Sequence, residues 1–246
     1  MPASPIRKLV PYAVQARDRG IKIYSLNIGQ PDIETPQVGL DALKHIDRKV
    51  LEYSPSDGLP SYRNKLVGYY ARFGIDLSPE NIIVTTGGSE ALQLAFPSCI
   101  NPGDEIIMTE PTYANYISFA MQAGVKVRPI KTDIRNGYAL PSVEDFEALI
   151  DERTKAILIC NPNNPTGQVL NPPLLKEIVE RCCDNNILLA VDECFMEFLP
   201  LWKEYTAKSL VTRTTNLIVI DAFTKTYSLA GFRLGFCASG NTGLLS

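Results

Sequence analysis

An α/β fold, with a mostly parallel sheet between two layers of helices, is what this sequence predicts. Three observations lead there. Short apolar runs of strand length alternate with stretches of helical character, the pattern of a parallel sheet wrapped by helices. At 246 residues the chain can bury a real core, as one large domain or a domain plus a fragment of another. Residues able to do chemistry recur directly after the apolar runs, where an open parallel sheet binds its ligands.

Residues 1–49 carry Pro2, Pro5, Pro11, Pro31 and Pro36 and one helical stretch at 38–49, so they read as an arm and a peripheral segment outside the sheet. From residue 50 to 246 the alternation is regular. Residues 82–86 form a strand, and a helix starts near Ser89. Pro97 falls near the end of that helix and predicts a late kink or an early stop. Further strands lie at 105–109 and 126–130, separated by a helical stretch after Tyr113, and another at 155–160. Residues 172–185 read as a helix, 187–191 and 216–220 as strands.

Composition narrows the function classes. A hydrophobic share of 45% with 21% charged residues describes a globular chain. A net charge of −3, with basic residues scattered, gives no attraction for a phosphate backbone or an anionic bilayer. No apolar run is long enough to span a membrane, and the first twenty residues have no secretory h-region. Six irregularly spaced cysteines read as reduced thiols of a cytoplasmic protein, with no Cys-x-x-Cys or His pair to hold a metal. His45, the one histidine, reads as structural or surface.

The residues at the end of each strand are more informative. After 82–86 comes Gly87-Gly88-Ser89 at a helix start, where backbone N–H groups, a hydroxyl and the positive helix end suit one phosphate. After 155–160 comes the rigid turn Asn161-Pro-Asn-Asn164-Pro-Thr-Gly167. After 187–191 comes Asp192; after 216–220 comes Asp221-Ala-Phe-Thr-Lys225, with Arg233 eight residues on. Singly, each has an ordinary reading as a turn, a cap or a solvated lysine. Together they supply an anion cradle, an amide, a carboxylate and a lysine with an arginine on one rim of the sheet. That set meets the needs of pyridoxal 5'-phosphate: an amine to condense with its aldehyde, an acid to keep its ring nitrogen protonated, and donors for its phosphate.

Six motifs in order carry a resemblance over residues 5–236: Asn27-Ile-Gly-Gln-Pro-Asp32, Tyr53-x4-Gly58-Leu, Thr86-Gly-Gly-Ser-Glu-Ala-Leu92, Asn161-Pro-Asn-Asn-Pro-Thr-Gly167, Asp192-Glu193 and Thr224-Lys225-Thr-Tyr-Ser-Leu-Ala-Gly-Phe-Arg233-Leu-Gly235. The chain resembles fold-type I pyridoxal-phosphate enzymes, the class I/II aminotransferases. The resemblance implies a three-layer α/β/α large domain at 50–246 and an arm with a small-domain segment at 1–49, most of the small domain being absent. It also implies that Lys225 binds the cofactor covalently and moves the substrate's α-proton, and that Asp192 pairs with the ring nitrogen. Asn164 would bond the phenolic oxygen and Tyr113 stack on the ring. Gly88, Ser89 and Arg233 would hold the phosphate, and Tyr53 would reach the phosphate of a neighbouring subunit in a homodimer. Gly29 and Asn164 would lie near the substrate, an amino acid or a 2-oxo acid.

Up to residue 169 the chain is similar to bacterial aspartate aminotransferases; from residue 170, notably Asp192-Glu-Cys-Phe-Met-Glu-Phe and Ala222-Phe-Thr-Lys225, it looks more like threonine-phosphate decarboxylases and histidinol-phosphate aminotransferases. Phe195 stands where such enzymes commonly have a tyrosine, which predicts a raised pKa for the lysine–cofactor linkage; spectroscopic titration of the wild type against Phe195→Tyr checks it. Ala222 stands where a phosphate-binding serine is common, and the chain stops soon after the lysine motif, short of the family's substrate-carboxylate arginine. The leading expectation is therefore a transaminase. A lyase of the threonine-phosphate decarboxylase kind and a non-catalytic truncated chain are the alternatives.

Overall fold

In the computed structural model residues 7–26, 28–211 and 216–245 are described, so Pro2, Pro5 and Asn27 lie outside the described residues. Among the described residues seven strands form one sheet: β1 (Ile82–Thr85), β2 (Glu105–Glu110), β3 (Lys126–Lys131), β4 (Thr154–Cys160), β5 (Leu188–Asp192), β6 (Leu217–Ala222) and β7 (Gly235–Ser239), in the order β1-β7-β6-β5-β4-β2-β3. β7 runs antiparallel to both of its neighbours, and the remaining pairings are parallel. The sheet is mostly parallel, as expected.

Burial tracks position in the sheet. β5 and β6 are buried along their whole length, as strands covered on both faces must be. β3, at one edge, is only partly covered and carries Pro129, which an edge strand tolerates because one side of it needs no ladder donor.

Helices cover both faces. On one side Pro60–Ala71 (α3 below) and Pro172–Asp184 (α7 below) pack on Val191, Leu217 and Val219. The longer of these opens with the Asn171 side chain accepting from Leu174 N–H at 2.8 Å, followed by proline, and buries Leu175, Ile178, Val179 and Cys182 at helical spacing. On the other side Gly88–Cys99 (α4) and Ala114–Gln122 (α5) pack on Leu188, Ala190, Ile218 and Ile220. Two helices precede all of these, Val10–Asp18 (α1) and Gln37–Lys44 (α2), and neither buries a residue. A short helix, Val143–Glu147 (α6), lies between α5 and α7 in the chain.

Several boundaries differ from expectation for identifiable reasons. β6 runs on through Asp221 and Ala222 because β7, a strand that no periodic run in the sequence marks, pairs with them through Phe236 and Gly235. Asp192 ends β5 rather than following it, since it pairs with Cys160 and Ile220. Ile187 falls outside the strand because its N–H closes the end of α7 on Cys182 O. α2 stops at Lys44, short of the expected 49: Ile46 and Val50 are exposed, so no packing rewards a longer helix. Pro97 does not end α4, which continues to Cys99; the proline lies on the exposed side. No helix among the described residues is long and apolar enough to cross a membrane.

Candidate functional site

The parallel strands β1, β4, β5 and β6 all end on one rim, and the turn after β1 begins the site. Gly87 has φ +110°, a conformation glycine alone adopts without strain, and a Cβ there would stand 2.8 Å from Arg233 Nη2. A Cβ on Gly235 would lie 2.5 Å from the Gly87 backbone. The missing side chains therefore let the α4 entrance, the start of β7 and the Arg233 guanidinium lie in contact. Ser89 is half-buried in the first turn of α4, whose N–H groups and dipole face the same place. Helix entrance and guanidinium together form an anion cradle.

Asp192 lies beside it. A Cβ on Gly88 would come within 2.8 Å of Cys194 Sγ, and Cys194 N–H donates to Asp192 Oδ1 at 3.0 Å. Tyr116 OH, from α5, donates to Asp192 Oδ2 at 2.6 Å. The carboxylate is 7% exposed and has no cationic partner among the described residues. Burial pushes its pKa above the ordinary carboxylate range; the bonds from Tyr116 and Cys194 pull the other way, and neighbouring Asp221 adds to the rise.

Lys225 sits in the short helix Phe223–Thr226 that succeeds β6. Partial burial holds its ammonium below the ordinary lysine range, against an opposing pull from Cys194. Its Nζ donates to the Gly29 carbonyl, so Gly29 is brought to the lysine across the whole chain. The same segment is tied down twice more: Thr35 Oγ1 donates to Ser228 O and Ser228 Oγ to Ile33 O, both at 2.8 Å.

The remaining expected residues are placed less closely. Tyr113 precedes α5, half-buried, with its ring edge-on to Tyr116 at 5.3 Å. Asn164 is half-buried in the turn after β4. Tyr53 is fully exposed. His45 is exposed at the end of α2, its ring bonded to Asp41 O, in keeping with a surface role.

Sequence reasoning missed three parts of this rim. Tyr116 was readable, since it lies one helical turn after Tyr113 and shares its face. Cys194 gave no signal beyond standing two residues after Asp192. Lys208 gave none, because a lysine in a polar stretch reads as solvated. It is instead wholly buried, with Nζ 2.8 Å from Glu193 Oε2 and 2.7 Å from Asp221 Oδ2. Burial alone would lower its pKa, but the two carboxylates hold it above the ordinary lysine range. Tyr70 OH also donates to Asp221 Oδ2, at 3.0 Å.

Known proteins share this arrangement of chain. The aspartate aminotransferase of Pyrococcus horikoshii is 36% identical over 238 residues, spanning 95% of this chain and 59% of its own length. The crystal structure of aspartate aminotransferase from Thermotoga maritima superposes with a TM-score of 0.89 at 29% identity, covering 99% of this chain and 65% of that one. An alanine aminotransferase structure from Pyrococcus furiosus gives 0.86 at 33% identity, covering 96% and 61%. The chain thus spans roughly three-fifths of the relatives it matches. Residues 21–246 match the family described as aminotransferase class I and II, and the chain belongs to that family.

Proposed function

We propose that this chain binds pyridoxal 5'-phosphate and is the larger part of an aminotransferase that moves an amino group between an amino acid and a 2-oxo acid, in the manner of aspartate aminotransferase. The observation that carries the reading is Asp192, a buried carboxylate with no cationic partner among the described residues, on the same rim as an anion cradle and a half-buried lysine whose ammonium is destabilised. A protonated pyridine ring with a phosphate arm matches that donor set. Its phosphate would face Gly87, Gly88, Ser89 and Arg233, and its ring nitrogen would meet Asp192.

When bound, the cofactor supplies an electron sink for the substrate's α-carbon. The chain's own residues do the rest. Lys225, with its amine more readily neutral than a solvated lysine, holds the cofactor and then carries a proton on Nζ as general acid and base. Asp192 keeps the ring nitrogen protonated, and Tyr116 and Cys194 N–H fix which way it points. Asn164 and Tyr113 orient the ring, and Gly29 leaves room beside Lys225 Nζ, 3.1 Å from where a Cβ would stand.

Tyr53 reads as reaching the site of a second copy in a homodimer. Its full exposure, with Leu26, Ile28, Val38 and Leu51 also exposed on the N-terminal segment, supports a covered face in the assembly. Cys160, Cys182 and Cys237 are buried as thiols in the core, which supports the reducing, cytoplasmic setting the sequence led us to expect.

The test is reconstitution with pyridoxal phosphate, borohydride reduction and peptide mass spectrometry. A stable adduct on Lys225 is expected, and its absence overturns the cofactor reading. Oxo-acid formation from amino acid donors, with no carbon dioxide released, is expected of a transaminase; carbon dioxide release would assign a lyase instead.

A further inference from the structure

Lys208 lies on the sheet face opposite Asp192. Along β6, Ile218 and Ile220 pack on the α4/α5 side and Leu217 and Val219 on the α3/α7 side; Asp221, next in the alternation, joins the latter with Tyr70. Glu193 directly succeeds Asp192 and its N–H donates to Ile220 O at 2.8 Å, while Ile220 is the register partner of Asp192. Three carboxylates, Asp192, Glu193 and Asp221, thus stand on two adjoining strand ends.

Two of them are fully engaged. Glu193 Oε1 accepts from Ala207 N–H and Oε2 from Thr206 Oγ1, each at 2.5 Å, and Asp221 Oδ1 accepts from Ala222 N–H at 2.6 Å. Both also receive the Lys208 ammonium, whose Nζ lies 5.2 Å from the Tyr70 ring centre. Nothing in the role proposed for the site uses this lysine. A fully buried cation spanning two acids is expensive to keep unless its charge matters to a neighbour.

We propose that Lys208 is a positioning residue acting through Asp192: its buried ammonium bridges Glu193 and Asp221 and cancels one of their two charges, so that Asp192 stays ionised and is the carboxylate left without a cation, ready to receive that of a bound cofactor ring. The inference rests on the pyridoxal phosphate reading and deepens it. Among the described residues the other titratable groups beside Asp192 are Tyr113, Tyr116, Cys160 and Cys194, none of them a cation, and Asp221 is the neighbouring carboxylate whose charge adds to the rise of its pKa.

The experiment compares the affinity of the 246-residue chain for pyridoxal phosphate with its affinity for inorganic phosphate, by calorimetry, in the wild type, Lys208→Met and Lys208→Met/Asp221→Asn. Lys208→Met is expected to weaken pyridoxal phosphate by about tenfold or more and inorganic phosphate by less than about twofold, because the cradle at Gly87, Gly88 and Arg233 is untouched. Removing the surplus acid in the double variant is expected to restore pyridoxal phosphate to within about threefold of wild type. Unchanged binding in Lys208→Met, or equal loss of both ligands, overturns the inference while leaving the cofactor reading intact. Should Lys208→Met not fold, the double variant decides alone: folded with near wild-type affinity supports the role, folded but about tenfold weaker overturns it. A wild type that binds no pyridoxal phosphate sinks both readings together.

Discussion

The two faces of the sheet at the ends of β5 and β6 handle buried charge in opposite ways. On the α3 side Glu193 and Asp221 share the Lys208 ammonium and every carboxylate oxygen has a donor. On the α5 side Asp192 is also buried, but among the described residues it is held by Tyr116 and Cys194 and by no cation. Burying an ion without a counter-ion is unfavourable by on the order of several kcal/mol, so such a group either takes up a proton or is completed by an opposite charge. The α3 side is finished by folding; on the function proposed above, the α5 side is completed by a ligand's cation. The same rim therefore separates groups that stabilise the protein from groups that stabilise what it binds.

Substitutions can break or sharpen that contrast. The most severe is Lys225→Ala, expected to abolish the borohydride-stable adduct altogether while leaving the melting temperature of the cofactor-free protein nearly unchanged; an adduct that persists elsewhere would remove the α5 side from the comparison. Next are the paired changes Asp192→Asn and Asp221→Asn. Asp192→Asn should reduce turnover by about 10²-fold or more, yet leave the cofactor-free fold as stable or more so, because an uncompensated charge is lost. Asp221→Asn should do the reverse first: it leaves Lys208 with one anion and costs about 1–3 kcal/mol by denaturant melts. Equal stability losses in the two variants would show that the faces do not differ.

The pH dependence sharpens the point. An acid whose pKa is raised on folding binds its proton more tightly in the native state. Folding stability from Asp192 is then fully present below its unfolded pKa, about 3.9, and is lost as pH rises toward the raised native value. Melting curves of the cofactor-free wild type should fall relative to Asp192→Asn as pH climbs through that window, and bound cofactor should cancel the difference. Tyr116→Phe comes next, with a stability loss of about 1 kcal/mol and a further upward shift of the Asp192 window, since one bond to the ionised oxygen disappears. The mildest is Ala222→Ser. Ala222 Cβ lies 4.0 Å from where a Cβ on Gly88 would be, so a hydroxyl there is expected to tighten phosphate binding by about two- to threefold in a calorimetric titration.

Much of this site was legible in the sequence. Gly87, Asp192 and Lys225 each succeed or close an apolar run, and strand ends of a parallel sheet are where ligands bind. In the fold Gly87 lies against Arg233 and Lys225 donates to the Gly29 carbonyl, so residues far apart in the chain meet on one rim. Less visible was β7, whose short Gly-Phe-Cys-Ala-Ser run carries no period of its own and becomes a strand because β1 and β6 both pair with it.

The sequence by itself determined the alternation of strands and helices, and the order in which cradle, amide, acid and amine arrive at the rim. Those depend on neighbours in the chain: local apolar runs, glycine turns and helix starts. Only the tertiary structure decided which acids are compensated. Lys208 meets Glu193 and Asp221 through residues 15 and 13 positions away, Asp192 meets Tyr116 across 76, and Lys225 meets Gly29 across 196. Charge compensation acts through space at a few ångströms and falls away with dielectric and distance, so no pattern along the chain records it.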